Sequence, residues 1–319
     1  MTGREQAGVP RISGLGAYRP SRVVSNDELA LTLSTSDEWI RRRTGIATRR
    51  IAAAGETVVA MGAAAASKAV ADAGVDPAEV DLVILTTCTM PSSVPGGAAA
   101  IAAGIGAGRA GAYDVNAACA GFCYGLSQAA DAVRAGSART IVVVASELMS
   151  AIVDWTDRSS AILFGDGAGA AVVTADGGER HLIGPVVYGA DGNLADLIDM
   201  PAGGKLQLDG PAVFRWATTA LGPVVADIAA KAGVSPDEID AFVPHQANGR
   251  IIDALARELG LTNAVVAHDV EASANTSSAS IPLAIDRLRE TGQVNSGDLA
   301  LLIGFGAGVT WAGQVVSIP

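Results

Sequence analysis

Aromatic and charged side chains are both scarce in this sequence. Only 4% of the 319 residues are aromatic and 17% are charged, whereas 50% are hydrophobic and glycine occurs 38 times. An interior with so few large rings needs small side chains that let helices and sheets approach closely. The 22 basic residues are outnumbered by 33 acidic ones, and the net charge of −11 argues against general binding to nucleic acid or to an anionic membrane.

Cysteine and histidine are too few for several kinds of site. The three cysteines, Cys88, Cys119 and Cys123, provide no disulfide framework, and their small number is typical of a reducing cytoplasm. No pair of them has the spacing of a zinc site, and the three histidines do not cluster in sequence. One of these, His181, follows a charged turn and is expected at the surface. We therefore expect neither a metal nor another cofactor.

Long apolar runs are missing as well. No stretch of about 18 uninterrupted apolar residues occurs, which predicts that no segment spans a membrane. Residues 1–10 are polar and lack the apolar core of a signal peptide. Together with the cysteine content, these features predict a cytoplasmic protein.

An internal repeat organises the chain. Residues 73–81 read AGVDPAEVD and residues 232–240 read AGVSPDEID, each after an alanine-rich helical pattern and before an apolar run. Asp76 and Ser235 are N-cap residue types, and each is followed by proline. Each copy therefore predicts a helix, a glycine stop, a short helical turn and a buried strand. One copy would be common at any junction of helix and strand, but two in the same order indicate a duplicated unit.

The repeat continues along both halves of the sequence. Each half has a second strand that leads into a helix, and each ends in apolar strands around a glycine cluster. These segments are 112–121 and 164–173 in the first half, and 268–279 and 304–316 in the second. Short apolar strands that alternate with helices are typical of largely parallel sheets covered on both faces. We predict an α/β fold of two similar halves, residues 1–175 and 176–319, packed in five layers.

Three polar residues fall where the two halves should meet. Cys119 follows an apolar strand and begins a helix, where the helix dipole and free N–H groups favour a thiolate. His245 follows a buried strand, at the end where α/β proteins place functional groups. The repeat places Asn275 at the position that Cys119 has in the first half. A buried inert cysteine, a structural histidine and a helix-capping asparagine would each explain one residue, but their convergence indicates a Cys/His/Asn catalytic site.

The remaining cysteines and the two glycine clusters have simpler explanations. Cys88 ends a core strand and Cys123 lies one helical turn after Cys119, so both are expected to be inert and buried. The clusters GDGAGA and GFGAG lack the pattern of a phosphate-binding loop and do not open a helix after a strand. We expect them to form tight turns between core strands.

These residues stand in motifs that resemble the 3-oxoacyl-ACP synthase III family of the thiolase superfamily. The motifs are AACAGF, PHQAN, SANTSSAS, FGDGAGA, GFGAGVTW and, near the start, TSDEWIRRRTGI. The resemblance covers about residues 11–318 and implies a thiolase-like α-β-α-β-α sandwich. It also implies a ping-pong reaction in fatty acid initiation or polyketide priming. Cys119 would take an acyl group from acyl-CoA, after which malonyl-ACP would lose CO2 and condense with it to a 3-oxoacyl-ACP.

The resemblance assigns a role to each residue of the site. His245 and Asn275 would donate hydrogen bonds to the malonyl thioester oxygen during decarboxylation. The backbone N–H groups of Cys119 and Ala307 would stabilise the oxyanion of the condensation step, although the family usually has glycine in place of Ala307. Phe305 matches a phenylalanine that shields the cysteine and excludes water.

Binding residues are implied in the same way. The residues that match contacts to CoA or its pantetheine arm are Trp39, Arg43, Thr44, Arg158, Gly210 and Asn248. Arg250 and Arg257, two turns apart on one predicted helix, resemble a patch that docks the acidic acyl carrier protein through local charge. A homodimer is expected, and Val94 replaces a phenylalanine that reaches into the partner's acyl pocket. This change, with Val309 in place of another phenylalanine, favours an unusual or larger acyl group.

Two other functions are compatible with the same residues. One is an acyltransferase of secondary metabolism that moves an acyl group to a hydroxyl, an amine or a carrier protein without condensation. The other is a non-catalytic scaffold. Release of CO2 that depends on malonyl-ACP separates condensation from simple transfer, and acylation of Cys119 separates both enzymes from the scaffold. The acyl chain and the carrier protein stay open.

Overall fold

The computed structural model describes residues 8–178, 182–261 and 263–319. His181 and most of the polar N-terminal stretch therefore lie outside the described residues. The strands are β1 (Arg11–Tyr18), β2 (Val23–Ser25), β3 (Thr48–Arg50), β4 (Leu82–Thr86), β5 (Gly111–Val115), β6 (Thr140–Glu147), β7 (Gly167–Thr174), β8 (Val187–Ala190), β9 (Ile198–Asp199), β10 (Gln207–Leu208), β11 (Ala241–Pro244), β12 (Val265–Val266), β13 (Leu299–Gly306) and β14 (Thr310–Ser317). The α-helices are α1 (Asn26–Ala30), α2 (Asp37–Thr44), α3 (Val58–Ala73), α4 (Ala98–Gly104), α5 (Gly121–Arg134), α6 (Arg158–Ala161), α7 (Gly210–Ala232), α8 (Gly249–Glu258), α9 (Val270–Ser273) and α10 (Ser280–Glu290).

Two five-stranded sheets form the centre of the fold. Their strand orders are β1-β7-β6-β4-β5 and β8-β14-β13-β11-β12. In the first sheet β4 pairs parallel with β5 and β6, while β7 pairs antiparallel with β6 and β1. The second sheet has the same directions, since β11 is parallel to β12 and β13, and β14 is antiparallel to β13 and β8. Both sheets therefore have one topology, as the sequence repeat predicts.

The prediction of largely parallel sheets was wrong in part, because half of the strand pairs in each sheet are antiparallel. The GFGAGVT segment forms the expected tight turn, and this turn folds β14 back against β13. Residues 11–174 supply the first sheet and residues 187–317 the second. The exact division at residues 175 and 176 stays a prediction.

The two repeat junctions have matching local structure. Helix α3 ends at Gly74 with φ +65°, and α7 ends at Gly233 with φ +70°, a backbone region that glycine enters without steric cost. A 3-10 turn follows in each half, at Pro77–Glu79 and Pro236–Glu238. The Asp76 side chain caps the first turn, and Ser235 forms a capping box with the second.

Five layers result from the way helices cover the sheets. Helices α3 and α4 pack on the outer face of the first sheet, and α7 and α8 on the outer face of the second. Helices α5 and α10 are buried between the sheets and contact both. The predicted α-β-α-β-α architecture is thus confirmed, and the turns that precede the two middle helices bring Cys119 and Asn275 to the joint between the halves.

Small side chains make this close packing possible. A Cβ on Gly16 of β1 would lie 2.3 Å from the Ala65 carbonyl oxygen of α3, so only glycine allows this approach. Ala65 and Ala69 are fully buried at the same contact. The scarcity of aromatic residues follows from such contacts, because large side chains would hold the helix away from the sheet.

Candidate active site

Cys119 lies in the 3-10 turn Ala118–Ala120, directly before α5. Strand β13 of the other half passes behind it so closely that a Cβ on Gly306 would lie 3.1 Å from Cys119 Sγ. Glycine at this position therefore lets the two halves meet at the sulfur. Cys119 faces a cavity of about 130 Å³ whose wall is mostly apolar.

The electrostatic surroundings of Cys119 oppose ionisation. Burial raises the pKa of the thiol to about 12, a hydrogen bond from Ser277 acts in the opposite direction, and the nearby Glu147 raises the pKa further. The helix start is where the sequence predicts it, but burial outweighs its effect on the thiolate. The free enzyme therefore holds Cys119 as a neutral thiol at neutral pH.

His245 directly follows β11 and is held from two sides. Its N–H donates to the Ile303 carbonyl at 2.7 Å, and its Nδ1 lies 2.7 Å from Ser280 Oγ. Ser280 Oγ accepts from the Gln246 N–H and can donate its own proton to Nδ1, and in that tautomer the ring proton is on Nε2. Burial lowers the pKa of His245 to about 3, so the imidazole is neutral.

Asn275 precedes the 3-10 turn Ser277–Ala279 and is fixed by backbone and side-chain bonds. Its N–H donates to the Leu163 carbonyl at 2.9 Å, and its own carbonyl accepts from Gly165 at 3.1 Å. Its Oδ1 accepts from the Ser277 N–H at 2.8 Å, which leaves Nδ2 as the donor for a ligand. Asn275 thus both holds the start of this turn through its Oδ1 and lines the cavity.

The predicted site residues converge on one cavity. Cys119, His245, Asn275, Phe305 and Ala307 all line it. The Phe305 ring meets the His245 ring edge-on, with centroids 5.3 Å apart, and only 2% of Phe305 is exposed. This arrangement places a thiol, a neutral imidazole, an amide and an aromatic ring around one cavity with a mostly apolar wall.

Backbone strain is concentrated around this cavity. Among the described residues, the non-glycine residues with positive φ are Ala118 (+45°), Ala274 (+58°) and Ser277 (+51°), and each lies within two residues of Cys119 or Asn275. A left-handed backbone costs an L-residue roughly 1–2 kcal/mol. The surrounding fold therefore holds these turns in a shape that they would not adopt alone.

Trp39, Arg43 and Arg158 form one cluster, as the resemblance implies. The two guanidinium carbons lie 5.1 Å (Arg43) and 4.7 Å (Arg158) from the centroid of the Trp39 ring. Arg158 also donates to the Ser34 carbonyl at 2.9 Å. A nucleotide base that stacks on Trp39 therefore has to displace one of these guanidinium groups.

Gly210 and Asn248 line the same cavity as Cys119. Gly210 is the first residue of α7. Asn248 caps α8 through its Oδ1, and its Nδ2 donates to the Arg43 carbonyl at 3.3 Å. Both positions agree with a tunnel from the surface to Cys119.

Thr44 is the last residue of α2 and is buried. Only 2% of it is exposed, and its hydroxyl donates to the Ile40 carbonyl at 2.7 Å while accepting from the Ile46 N–H at 3.0 Å. The hydroxyl is therefore engaged at the end of α2, and a contact of Thr44 with CoA stays a prediction.

Arg250 and Arg257 are exposed on α8, as predicted. The Arg250 guanidinium lies 5.0 Å from the centroid of Phe214, a residue of the cavity wall, so the basic patch is beside the cavity. Val94 is 82% exposed and does not line the cavity of its own chain. A role of Val94 in an acyl pocket would therefore require a second subunit.

Two residues beside Cys119 were missed by the sequence analysis. Cys88 lines the cavity, so the expectation that it is buried in the core was wrong, while its inertness stays a prediction. Glu147, at the end of β6, is fully buried and accepts hydrogen bonds from Ser278 Oγ (2.7 Å) and Thr89 Oγ1 (2.6 Å). The available signal was a single acidic residue that closes the otherwise uncharged strand TIVVVASE.

In the part of the chain that the structure describes, no three His, Cys, Asp or Glu side chains group so that they could hold a metal ion. Within the same residues, no helix combines the length and apolarity needed to cross a membrane. The expectation that no cofactor is needed stays a prediction.

The neutral state of His245 has a consequence for the pH dependence of the reaction. A histidine with an ordinary pKa near 6.5 would change charge between about pH 5.5 and 7.5, whereas His245 stays neutral throughout. We expect CO2 release by enzyme that is already acylated to show no inflection in this range. An inflection near pH 6.5 in either direction would contradict a neutral donor. Between about pH 6.5 and pH 3 only the unfolded chain binds a proton at His245, so this residue lowers the free energy of unfolding progressively as the pH falls through that range.

Comparisons with known proteins agree with this geometry. Residues 113–192 match the family model described as 3-oxoacyl-[acyl-carrier-protein (ACP)] synthase III, and residues 229–318 match the model of its C-terminal part. The chain is 48% identical to beta-ketoacyl-[acyl-carrier-protein] synthase III 4 of Streptomyces coelicolor over 97% of this chain and 98% of that protein.

Solved structures have the same fold. The priming beta-ketosynthase from the R1128 polyketide biosynthetic pathway superposes with a TM-score of 0.95 at 46% identity, over 100% of this chain and 99% of that one. The 3-oxoacyl-[acyl-carrier-protein] synthase III of Aquifex aeolicus gives a TM-score of 0.93 at 39% identity, over 97% and 100% of the two chains. The chain therefore belongs to the 3-oxoacyl-ACP synthase III family.

Proposed function

We propose that this protein condenses an acyl group, taken from acyl-CoA, with malonyl-ACP to give a 3-oxoacyl-ACP and CO2. The observation that carries the proposal is the convergence of Cys119, His245 and Asn275 on one cavity in a chain of this family. A thiol provides the covalent acyl carrier, and two neutral donors provide the charge stabilisation that a decarboxylation requires.

The first half-reaction loads Cys119. Its sulfur attacks the thioester carbonyl of acyl-CoA, and the backbone N–H groups of Cys119 and Ala307 stabilise the resulting oxyanion. CoA then leaves as a thiolate and the acyl group stays on the sulfur. The alanine at position 307 leaves the N–H donor in place, so it does not change this role.

The second half-reaction uses the two side-chain donors. Loss of CO2 from malonyl-ACP places negative charge on the thioester oxygen, which His245 Nε2 and Asn275 Nδ2 stabilise, each by about 3 kcal/mol. The carbanion attacks the acyl carbonyl on Cys119 and releases 3-oxoacyl-ACP. Phe305 keeps water away from the carbanion, because it covers the cavity beside His245.

Substrates reach the site from the side of Trp39 and α8. The Trp39 ring, with Arg43 and Arg158 beside it, suits the adenine and phosphates of CoA. Arg250 and Arg257 suit an acidic carrier protein, whose attraction depends on local charge even though this chain is acidic overall. The pantetheine arm would pass Asn248 on its way to Cys119.

The starter group and the assembly are part of the same proposal. Apolar side chains of the cavity wall suit a hydrocarbon acyl group, and they include Ile152, Leu163, Leu206 and Leu208.

Strand β5 is the outer strand of its sheet, and its residue Tyr113 is 40% exposed. This exposed edge favours a homodimer joined along β5, in which Val94 of each subunit would contribute to the acyl pocket of the other. We place the protein in the cytoplasm, where acyl-CoA and malonyl-ACP occur.

The test is release of CO2 from malonyl-ACP. With both acyl-CoA and malonyl-ACP present, we expect radiolabelled CO2 from the malonyl carboxyl group and a 3-oxoacyl-ACP detectable by mass. Acetyl-ACP in place of malonyl-ACP is the control and should give neither. Transfer of the acyl group to the carrier protein without CO2 would contradict condensation and favour the simple acyltransferase.

A further inference from the structure

We propose that Cys119 gives up its proton through a relay of Ser277, Cys88 and Glu147, with the buried Glu147 carboxylate as the final acceptor. The relay would serve the loading of Cys119, so it depends on the proposed function. None of the steps described above uses Cys88 or Glu147, although both adjoin the nucleophile.

The links of the relay are short contacts between groups that can both donate and accept a proton. Cys88 Sγ lies 3.6 Å from each oxygen of the Glu147 carboxylate. The same sulfur lies 3.4 Å from Ser277 Oγ. Ser277 and Cys119 line the same cavity, and a hydrogen bond from Ser277 acts to lower the pKa of the Cys119 thiol. A hydroxyl and a thiol each have one proton to give and lone pairs to receive another, so the path is continuous.

Glu147 is surrounded by neutral donors alone. In addition to Ser278 and Thr89, Thr87 Oγ1 donates to it at 3.0 Å, and the Cys88 N–H does so at 3.1 Å. In the described ranges, no lysine, arginine or histidine forms an ion pair with it. The carboxylate can therefore accept a proton and lose its charge without breaking an ion pair.

Charge balance in the buried site favours transfer along this path. A thiolate at Cys119 beside an ionised Glu147 would place two negative charges close together in a low-dielectric space. This repulsion is part of the reason that the pKa of Cys119 is raised. If the proton moves to Glu147, the site keeps one negative charge, now on the nucleophile, and the repulsion disappears.

The step balances as a concerted shift of three protons. The Cys119 proton moves to Ser277 Oγ, the Ser277 proton to Cys88 Sγ, and the Cys88 proton to Glu147. The electron pair left on Cys119 forms the new S–C bond, and the bond from the acyl carbon to CoA sulfur breaks. CoA leaves as a thiolate and takes a proton from solvent. After condensation Cys119 leaves the product as a thiolate and recovers its proton from Glu147 by the reverse route.

A purely electrostatic or structural role of Glu147 predicts different results. If the carboxylate acted only through its charge, Glu147→Gln would lower the pKa of Cys119 and speed its acylation. The relay predicts the reverse, because an amide cannot accept the proton. If Cys88 served only to fill space, its replacement by alanine would not slow acylation, and a hydroxyl there would bring no benefit.

The experiment measures the rate of acyl transfer from acyl-CoA to Cys119 by rapid quenching and intact mass, from about pH 6 to 9. We expect Cys88→Ala to slow loading by at least about tenfold, and Glu147→Gln likewise, since acid–base catalysis contributes about 10²–10⁴-fold. Cys88→Ser should restore the rate to within about threefold, because its hydroxyl both donates and accepts. Cys123→Ala, which removes a buried thiol outside the relay, is the matched control and should load like the wild type.

The outcomes separate the relay from the proposed function. If the wild-type protein and Cys88→Ala take up the acyl group at the same rate, the relay is overturned and the proposed function is not. Equal slowing of the alanine and serine variants, or faster loading of Glu147→Gln, would also overturn it. A wild-type protein that takes up no acyl group would overturn the proposed function and the relay with it. If Glu147→Gln does not fold, the comparison of Cys88→Ala with Cys88→Ser still tests the relay.

Discussion

A Cys119→Ser variant is expected to take up no acyl group from acyl-CoA, whereas the wild-type protein gains the mass of one acyl group. The hydroxyl that replaces the thiol is a far weaker acid and a weaker nucleophile, and the buried site opposes charge even on sulfur, whose pKa is already about 12. Intact mass after incubation measures the effect directly. We expect loss of acylation by at least about four orders of magnitude, in line with removal of a catalytic nucleophile.

The matched control is the same substitution at Cys123, one helical turn further along α5. Cys123 is fully buried and lines none of the cavity, so Cys123→Ser should still acquire one acyl group. A Cys119→Ser protein that gains the acyl mass at the wild-type rate would show that another residue is the nucleophile.

Removal of either side-chain donor is expected to separate the two half-reactions. His245→Ala and Asn275→Ala should still accept an acyl group on Cys119. Their release of CO2 from malonyl-ACP should fall by about 10²–10³-fold, because each loses one donor to the developing oxyanion. The measurement uses enzyme that is acylated beforehand, so that only decarboxylation and condensation are observed.

Asn275 offers a sharper variant than alanine. Its Oδ1 holds the Ser277 N–H, so alanine removes both the donor and a bond that shapes the turn. Asn275→Asp keeps the acceptor, replaces the Nδ2 donor by an oxygen and adds a negative charge, so it should lose decarboxylation at least as fully as the alanine variant. Wild-type CO2 release by the aspartate variant would contradict the donor role of Asn275.

The convergence of the site was predictable because it rests on the repeat. Two similar segments place Cys119 and Asn275 before equivalent helices, and α/β packing brings such helix starts together. The α/β class and the five layers follow from the same pattern. The antiparallel pairs were not predictable from it, since β6 and β7 are as uniformly apolar as a buried parallel strand.

Individual side-chain environments were harder to predict. Thr44 stands within a motif implied to contact CoA. It is the last residue of α2, and its hydroxyl donates to the Ile40 carbonyl one turn earlier in the helix. Cys88 lies only two residues beyond β4, and whether such a residue faces the core or a cavity depends on the path of the following loop. Glu147 lies far from Cys119 in sequence, and only the three-dimensional fold brings it to Cys88 and Ser278.

The left-handed residues around the cavity have a consequence for heat resistance. The backbone strain at three residues, Ala118, Ala274 and Ser277, reduces the stability of the fold by roughly 3–6 kcal/mol. The total folding free energy of a typical protein is about 5–15 kcal/mol. Their shape is imposed by the packed helices and sheets around them, so any loosening of that packing lets these turns relax first. On warming, the enzyme should therefore lose its activity at a temperature at which most of its helices and strands are still intact.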